Sequence, residues 1–440
     1  MRKLLLTLCA FVFALGASAQ ENEGGTFLKA FSFTVEPDGE TPAVITSLTT
    51  DATSELKFRI DWGDGVLSEE YTLEDYTTTW YPTAYSAVPK GNTITVYAEN
   101  PASVHYIDGS WKKETLKWTS IDMSNLTGLK SLELASNAIT AIDVTNNTAL
   151  ESLGLGNNDV VGALDLSANV NLKYVDFSNS ETIGTNNIDG TDFTVLPNAT
   201  TIKVALNQLT DIKVAGLSKL TTLNINSCGL NTIDLSGCTS LKTLNSNDNN
   251  FETIDISECA TVKAYFYLNN NKLKSIKTAE AYTSARLQVK DNLFTFATLP
   301  AVGLFQTYAY SPQADIEIAA EGSTVDLTAF MPVVGENATV AAWVNGEETL
   351  VENEDYTAAG GVFTFLKNFD KVAVQLTNDA FPGLTLNSNA VSVVATGVDT
   401  IKAADKTAVF YNLQGVRVVQ PKAGNVYIRV SDGVTTKVVR

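Results

Sequence analysis

The stretch LKSLELASNAITAIDVTNNTA, residues 129–149, decides the fold because the chain repeats it. It recurs as LTTLNINSCGLNTIDLSGCTS at residues 220–240 and as LKTLNSNDNNFETIDISECAT at residues 241–261. A fixed period of about 21 residues predicts a solenoid, in which each unit stacks on its neighbours and leaves a long open face. Such a face is suited to binding.

Aligning the chain on the pattern LxxLxLxxN phases eight repeats between residues 106 and 300. They begin near Leu129, Leu150, Leu172, Ala199, Leu220, Leu241, Lys263 and Ser284. The third interval, from Leu172 to Ala199, is longer than all the others, which are nearly equal. It predicts an insertion of about six residues between Ser180 and Val195, on the outer side of the solenoid.

With these residues the chain resembles the leucine-rich repeat family. The resemblance implies a short strand in each LxxLxLxxN segment and an internal ladder of hydrogen-bonding asparagines, from which Ser180 and Cys228 depart. The ladder residues are Asn137, Asn158, Asn207, Asn249, Asn271 and Asn292. The other half of each repeat, as in Ile142-Asp143-Val144, alternates with period two and predicts extended backbone, as in the short bacterial subtype with little helix.

Short alternating runs flank the repeats, as in ELKFRIDW before them and KVAVQLTN after them, and predict antiparallel β-sandwiches. Within the first run, residues 60–65 read IDWGDG and resemble the WxFGDG turn of bacterial PKD-like domains, with shorter spacing. Asp61 and Asp64 either close this turn or hold a cation, and the few oxygen ligands nearby favour the turn. Trp62 is expected to point inward.

The C-terminal segment that begins at Val409 resembles the C-terminal sorting domains of type IX secretion cargo. The matching segments are Tyr411-Asn412-Leu413-Gln414-Gly415, Gly424 with Val426-Tyr427-Ile428, and Lys437-Val438-Val439-Arg440, and Asn425 is an extra residue in the usual pattern. The sequence thus predicts a mainly β protein with a solenoid flanked by sandwiches. Its predicted segments are a signal peptide at 1–19, a PKD-like sandwich at 20–105, a capped leucine-rich repeat solenoid at 106–300, an Ig-like sandwich at 301–395 and a sorting domain at 396–440.

The N-terminus predicts export. MRKLLLTLCAFVFALGASA places Arg2 and Lys3 before an apolar run and ends in Ala17-Ser18-Ala19, which favours cleavage before Gln20. Cleavage removes two of 30 basic side chains and none of 49 acidic ones, which leaves 28 basic and 49 acidic side chains and a net charge of −21. That charge repels phosphate backbones and anionic headgroups, so we expect no nucleic acid and no membrane insertion after cleavage. The expected location is outside the cell or on the outer surface of a Gram-negative bacterium.

The residues of catalysis are scarce. His105 is the single histidine, and no GxSxG, HExxH, P-loop or dinucleotide motif occurs, so no enzyme, metal site or cofactor is predicted. The repeating acids Asp143, Asp165, Asp234 and Asp255 follow the period of the solenoid and are interpreted as surface positions. The mature chain keeps an odd number of cysteines, Cys228, Cys238 and Cys259, which favours buried thiols over disulfides.

The residues that flank the core position of each LxL strand point away from the core and form the candidate site. The predicted ligand-binding residues are Tyr174, Asp176, Asn224, Asn226, Asn245, Asn247, Tyr265, Tyr267, Asn269, Arg286, Gln288 and Lys290. The first strands, with Ala135, Gly154 and Gly156, are expected to be too bare to bind. The leading hypothesis is adhesion to protein ligands, with glycans second. The alternatives are a structural envelope component and, with least support, a carbohydrate-active enzyme that uses a nonperiodic carboxylate pair.

Overall fold

A computed structural model describes residues 20–22, 25–51, 56–75, 83–181, 184–395, 409–422, 425–431 and 434–439. The predicted signal peptide, residues 396–408, Gly424 and Arg440 lie outside the described residues. The described chain is almost entirely β-structure, with three short 3-10 helices at Pro101–Ser103, Phe193–Val195 and Thr328–Phe330. It divides into two compact units, one of Met1–Val289 with Gly303–Ala309, the other of Lys290–Val302 with Tyr310–Arg440.

The first unit contains the predicted solenoid, whose inner side is a 12-stranded sheet. Its strands follow the order Glu74–Asp75, Ser47–Thr50, Tyr106–Asp108, Ser131–Glu133, Ser152–Gly154, Tyr174–Asp176, Thr201–Lys203, Thr222–Asn224, Thr243–Asn245, Tyr265–Tyr267, Arg286–Gln288 and Thr307–Ala309. From Tyr106–Asp108 onward all neighbours are parallel. The predicted repeat strands are therefore confirmed, and one further parallel strand lies at each end.

The alternation of the LxL segment explains why these strands form. The central residue of each strand, such as Leu132, Leu153 or Leu223, is fully buried, and both of its neighbours face away from the core. Burying one leucine side chain contributes about 1.5 to 3 kcal/mol, and the stacked repeats gain this contribution once per turn.

The predicted asparagine ladder lies in the core beside the sheet. The Asn158 amide donates to the carbonyls of Leu134 at 2.8 Å and Leu155 at 3.0 Å, and its Oδ1 accepts the Ile139 N–H at 3.1 Å. The same arrangement recurs at Asn137, Asn207, Asn249 and Asn271. These bonds satisfy backbone groups that the turns would otherwise leave unpaired in the core.

Two repeats depart from the ladder. In the third repeat, Asn186 fills the slot that the alignment assigned to Ser180, and donates to Leu155 at 2.8 Å and Phe177 at 3.2 Å. The extra residues therefore lie before Asn186, within the predicted insertion. In the fifth repeat, the Cys228 thiol takes the slot and donates to the Val204 carbonyl at 3.1 Å.

The outer half of each repeat is built from turns more than strands. The predicted extended segments pair only at Thr253–Asp255 and Ser275–Lys277 in the described chain, where they form a two-stranded parallel sheet. The periodic aspartates close these turns: Asp165 accepts the Ser167 N–H at 3.0 Å and its hydroxyl at 2.6 Å. Asp143, Asp192, Asp234 and Asp255 do the same for the backbone N–H two residues on. The period-two alternation that predicted extended backbone therefore comes largely from D-x-S/T turns, in which inward and outward positions also alternate.

The N-terminal β-region covers the first turn of the solenoid. Trp118 stacks on Phe33 with ring centroids 3.7 Å apart, and its indole N–H donates to the Val44 carbonyl at 3.2 Å. Ser120–Asp122 pairs antiparallel with Gly25–Thr34, as Tyr106–Asp108 does with Ser47–Thr50. The segment around Trp118 thus forms the N-terminal cap together with the strands before it.

The remaining strands of the first unit form two sheets. The six-stranded sheet contains Gln20–Asn22, Gly25–Thr34, Thr93–Ala98, Lys57–Asp61 and Tyr71–Thr72, with Ser120–Asp122 beside Gly25–Thr34, and the two-stranded sheet contains Ala43–Ile45 and Tyr85–Ala87. Phe58 and Tyr85 join them, with centroids 5.0 Å apart.

The turn at residues 61–65 uses both of its carboxylates internally. Asp61 Oδ1 accepts the backbone N–H of Gly63 at 2.8 Å, Asp64 at 3.1 Å and Gly65 at 3.0 Å. Asp64 pairs with Lys90 at 2.5 Å, and Trp62 is half-buried where the sequence predicted a fully inward side chain. The contacts of both aspartates are those of a structural turn.

The second unit contains separate antiparallel sheets. One has Ala320–Glu321, Thr324–Asp326, Val362–Phe365 and Tyr356–Ala359, and another has Glu348–Thr349, Val340–Asn345, Phe369–Thr377, Thr385–Asn387 and Val391–Val393. Buried Trp343 of the second sheet contacts Phe363 and Phe365 of the first, with centroids 5.4 and 4.9 Å away. A two-stranded sheet contains Val333–Val334 and Asn337–Ala338. A further four-stranded sheet contains Arg417–Val418, Val409–Tyr411, Val426–Ser431 and Val434–Val439.

Candidate functional site

All twelve predicted ligand-binding residues are half-buried or exposed, and eleven of them belong to the first unit, where they flank buried positions of the inner sheet. Lys290 is exposed and begins the second unit. We call the outward side of the inner sheet the concave face, following the prediction. Together with Lys203, which was not predicted, the eleven residues form three groups on it: an amide cluster, a group of two tyrosines and an arginine, and a tyrosine, aspartate and lysine cluster.

The amide cluster consists of Asn224, Asn226, Asn245, Asn247, Asn269 and Gln288. Within it, Asn247 Nδ2 donates to Asn245 Oδ1 at 3.1 Å, and Asn247 Oδ1 accepts the backbone N–H of Asn269 at 2.8 Å. Asn269 Nδ2 donates to Gln288 Oε1 at 3.1 Å. The first bond lies within one repeat and the other two run between neighbouring repeats, and together they hold these amides in fixed orientations.

Backbone donors hold the side-chain oxygens of Asn224 and Asn247, and side-chain amides hold those of Asn245 and Gln288. The N–H of Asn226 occupies Asn224 Oδ1 at 3.2 Å, just as the N–H of Asn269 occupies Asn247 Oδ1. Because an N–H can only donate, the oxygens are engaged inside the face. Among the described residues, the NH₂ groups of Asn224, Asn245 and Gln288 have no hydrogen-bond partner, so the cluster presents open donors.

The group of two tyrosines and an arginine borders this cluster. The Arg286 guanidinium lies 5.4 Å from the centroid of the Tyr265 ring, a cation–π distance. Tyr265 and Arg286 are direct partners on adjacent parallel strands, as are Tyr267 and Gln288. In the described chain no carboxylate lies within ion-pair distance of Arg286, which is exposed. Cross-strand register therefore brings one cation, two phenols and an amide together.

The third group, Tyr174, Asp176 and Lys203, is connected by internal hydrogen bonds. The Tyr174 hydroxyl donates to Asp176 at 2.9 Å and accepts from Lys203 at 3.0 Å, and the Lys203 ammonium lies 5.0 Å from the Tyr174 ring centroid. Burial raises the pKa of Tyr174, and the bond to Tyr174 raises the pKa of Lys203. Lys203 was missed as a site residue, although its place beside Asp176 in the register could have indicated it.

The first strands are less bare than predicted, because they line a groove of about 550 Å³. The groove is lined by Ser47, Tyr106, Ile107, Asp108, Lys130, Ser131, Glu133, Glu151, Ser152 and Lys173. The Glu133 carboxylate occupies the space that a side chain at position 154 would need, and accepts the Ser152 hydroxyl at 2.9 Å. Burial raises the pKa of Glu133, and the nearby charges of Asp108 and Asp176 raise it further. This end of the concave face therefore carries acidic groups interleaved with Lys130 and Lys173.

His105 has a structural environment where the first β-region meets the solenoid. Its Nδ1 lies beside Asp51, whose backbone N–H approaches it at 3.1 Å, and Asp51 also pairs with Lys130. Burial lowers the pKa of His105 and outweighs the opposing charge of Asp51. Asp51 contacts both Lys130 and the imidazole, which agrees with the structural role predicted for His105.

The three described cysteines are free and buried, as predicted. Burial raises the pKa of Cys228 to about 12, of Cys238 to about 11 and of Cys259 to about 12. Such thiols are almost entirely protonated at neutral pH and are poor nucleophiles. Among the described residues, no group of three or more His, Cys, Asp or Glu side chains is arranged to hold a metal ion.

The regularly stacked turns, the parallel inner sheet and the asparagine ladder define a leucine-rich-repeat solenoid. No protein-family model and no curated protein sequence matches the chain. Among solved structures, it is similar to the functional domain of InlJ from Listeria monocytogenes, which includes a cysteine ladder, with 20% identity over 66% of this chain and 67% of that one and a TM-score of 0.44. It is also similar to a leucine-rich repeat protein of Leptospira interrogans, with 18% identity over 50% and 69% of the two chains and a TM-score of 0.33. The described residues contain no helix with the length and hydropathy of a membrane span.

Proposed function

We propose that this protein is a non-enzymatic binding protein that recognises a protein ligand through the amide cluster, Tyr265, Tyr267 and Arg286. The observation that carries the proposal is the set of open donors beside two half-buried tyrosines on one face of a rigid sheet. Tyrosine and arginine are enriched among the residues that dominate binding energy in protein interfaces.

Preorganisation supports the same proposal. Ordering a flexible side chain on binding costs about 0.5 to 1.5 kcal/mol. Here the lateral bonds of Asn247 and Asn269 and the stacking of Arg286 on Tyr265 already restrict these side chains. A ligand would therefore lose less of its interaction energy to ordering the protein.

We further propose that the protein acts outside a Gram-negative cell, on its surface or in secreted form. Residues 1–19 supply the export signal, and residues 396–440 act as the sorting domain of type IX cargo. The regions at 20–105, PKD-like, and 301–395, Ig-like, serve as spacers that carry the solenoid at 106–300. Host surface or matrix proteins are the expected partners.

The test is a binding screen with the mature chain, residues 20–440, against surface and matrix proteins and a glycan array. Replacing Tyr265, Tyr267 and Arg286 by Ala should weaken capture of the identified ligand at least about tenfold without a change in the circular dichroism spectrum. A matched control replaces Lys274 and Lys277, exposed on the outer side of one repeat, and should bind normally. Unchanged capture by the triple variant would refute the site, and capture of glycans alone would refute the protein ligand.

A further inference from the structure

Arg286 is a cation in a chain whose acidic side chains outnumber the basic ones, 49 to 30. It is exposed on the concave face, and no carboxylate of the described residues pairs with it. The guanidinium lies 5.4 Å from the centroid of the Tyr265 ring, and this cation–π contact restricts the side chain without occupying its N–H groups. A planar guanidinium held this way matches the two oxygens of a carboxylate.

Two further donors lie next to it. Gln288 is two positions along the same strand, and because its Oε1 accepts from Asn269 at 3.1 Å, its NH₂ group is the open end. Tyr267 is the register partner of Gln288 on the adjacent strand, about 4.8 Å away, and brings its phenol. A group bound here would meet a cation, an amide N–H and a hydroxyl.

The opposite end of the same sheet carries mixed charge, because Lys203 pairs with Asp176 at 3.5 Å and Lys130 and Lys173 line the groove beside Glu133. Asp108, Glu133 and Asp176 lie on three strands of the N-terminal half, and Glu133 and Asp176 are joined by register through Gly154. Mutual repulsion adds to the effect of burial in raising the pKa of the Glu133 carboxyl. The lysines of that end are paired with carboxylates, whereas Arg286 has none within ion-pair distance among the described residues, so Arg286 is available to an anionic ligand group.

We propose that Arg286, Gln288 and Tyr267 form a carboxylate-binding subsite, so that the protein ligand is held by an aspartate or glutamate side chain. This inference rests on the proposed function, since it concerns the same face. It defines the ligand chemistry: an acidic contact residue at the C-terminal end of the amide cluster.

The experiment uses a phage-displayed library of random dodecapeptides, selected on the immobilised mature chain. Three proteins are compared: the wild type, Arg286→Gln, and the control Lys274→Gln, which removes a cation from the outer side. An enriched peptide is then synthesised with each Glu or Asp changed in turn to Gln or Asn, and its affinity is measured against all three proteins.

We expect peptides enriched in Asp and Glu on the wild type and on Lys274→Gln, and no such enrichment on Arg286→Gln. One acid-to-amide change in the peptide should weaken binding to the wild type about tenfold or more, and should have little effect on Arg286→Gln. Enriched peptides without acidic bias, or equal acidic enrichment on Arg286→Gln, would overturn the subsite and leave the binding function intact. A wild type that enriches no peptide would overturn both.

Discussion

Replacing Asn158 by alanine should destabilise the solenoid far more than replacing the cysteine that occupies the equivalent slot. The Asn158 side chain is fully buried and satisfies the carbonyls of Leu134 and Leu155 and the N–H of Ile139. Alanine leaves the Ile139 N–H without its partner, whereas the carbonyls of Leu134 and Leu155 each lose one of two donors and keep Asn137 and Asn186. One unsatisfied buried N–H costs about 1 to 3 kcal/mol and the two lost bonds add to it, so the expected loss is about 2 to 4 kcal/mol.

Cys228→Ala is the matched control. Cys228 occupies in the fifth repeat the slot that Asn158 occupies in the second. Its thiol makes a weaker bond, to the Val204 carbonyl at 3.1 Å. Losing that bond and the sulfur volume should cost about 1 to 2 kcal/mol. The difference between the two variants isolates the contribution of the amide.

The assay is native-state hydrogen exchange with mass spectrometry on the mature chain, supported by urea denaturation. Each solenoid repeat contacts mainly its neighbours, so opening is expected to be local. Peptides covering residues 134–158 should lose protection in Asn158→Ala, and those of the second unit should keep it. Equal losses in the two variants, or a loss below about 1 kcal/mol for Asn158→Ala, would refute the ladder as a main source of stability.

Three further predictions concern single positions. Leu206 has a φ of 60°, a conformation that costs a non-glycine residue about 1 kcal/mol, so Leu206→Asn should raise the urea midpoint; a lower midpoint would contradict this. The buried thiols Cys228, Cys238 and Cys259 should not react with a thiol reagent at pH 7 until urea unfolds the chain, and rapid native labelling would show that one is accessible. Although burial raises the pKa of Asp255, bonds from Lys277 and Ser257 outweigh it and lower the pKa from 3.8 to about 2. The stability gained from this lowering is present above pH 3.8 and lost as the pH falls through 2, so the thermal midpoints of wild type and Asp255→Asn should converge on acidification; a constant difference would refute the linkage.

The repeat architecture could be predicted because its signals are local. One buried residue between two outward ones, as at Leu223, specifies a strand, and recurrence at a fixed spacing specifies parallel stacking. The ladder was assigned correctly at Asn137, Asn158, Asn207, Asn249 and Asn271. In the third repeat, counting residues could not identify Asn186 as the substitute for Ser180. A fixed alignment cannot follow an insertion whose place is decided by hydrogen bonding.

Contacts between distant segments could not be predicted. Pairing of Ser47–Thr50 with Tyr106–Asp108 joins segments that lie far apart along the chain, and no sequence pattern specifies it. Gly154 was interpreted as a bare position, yet its missing side chain is what makes room for Glu133. The open donors of the amide cluster likewise depend on which amide atom a backbone N–H occupies, which residue types alone do not show.

The most direct test of the central claim is the dissociation constant of the mature chain for a selected protein or peptide ligand, measured for the wild type and for Tyr267→Ala. A binding face at the C-terminal half of the concave sheet predicts at least about tenfold weaker binding for Tyr267→Ala, with an unchanged thermal midpoint. The same dissociation constant for both proteins would contradict the account.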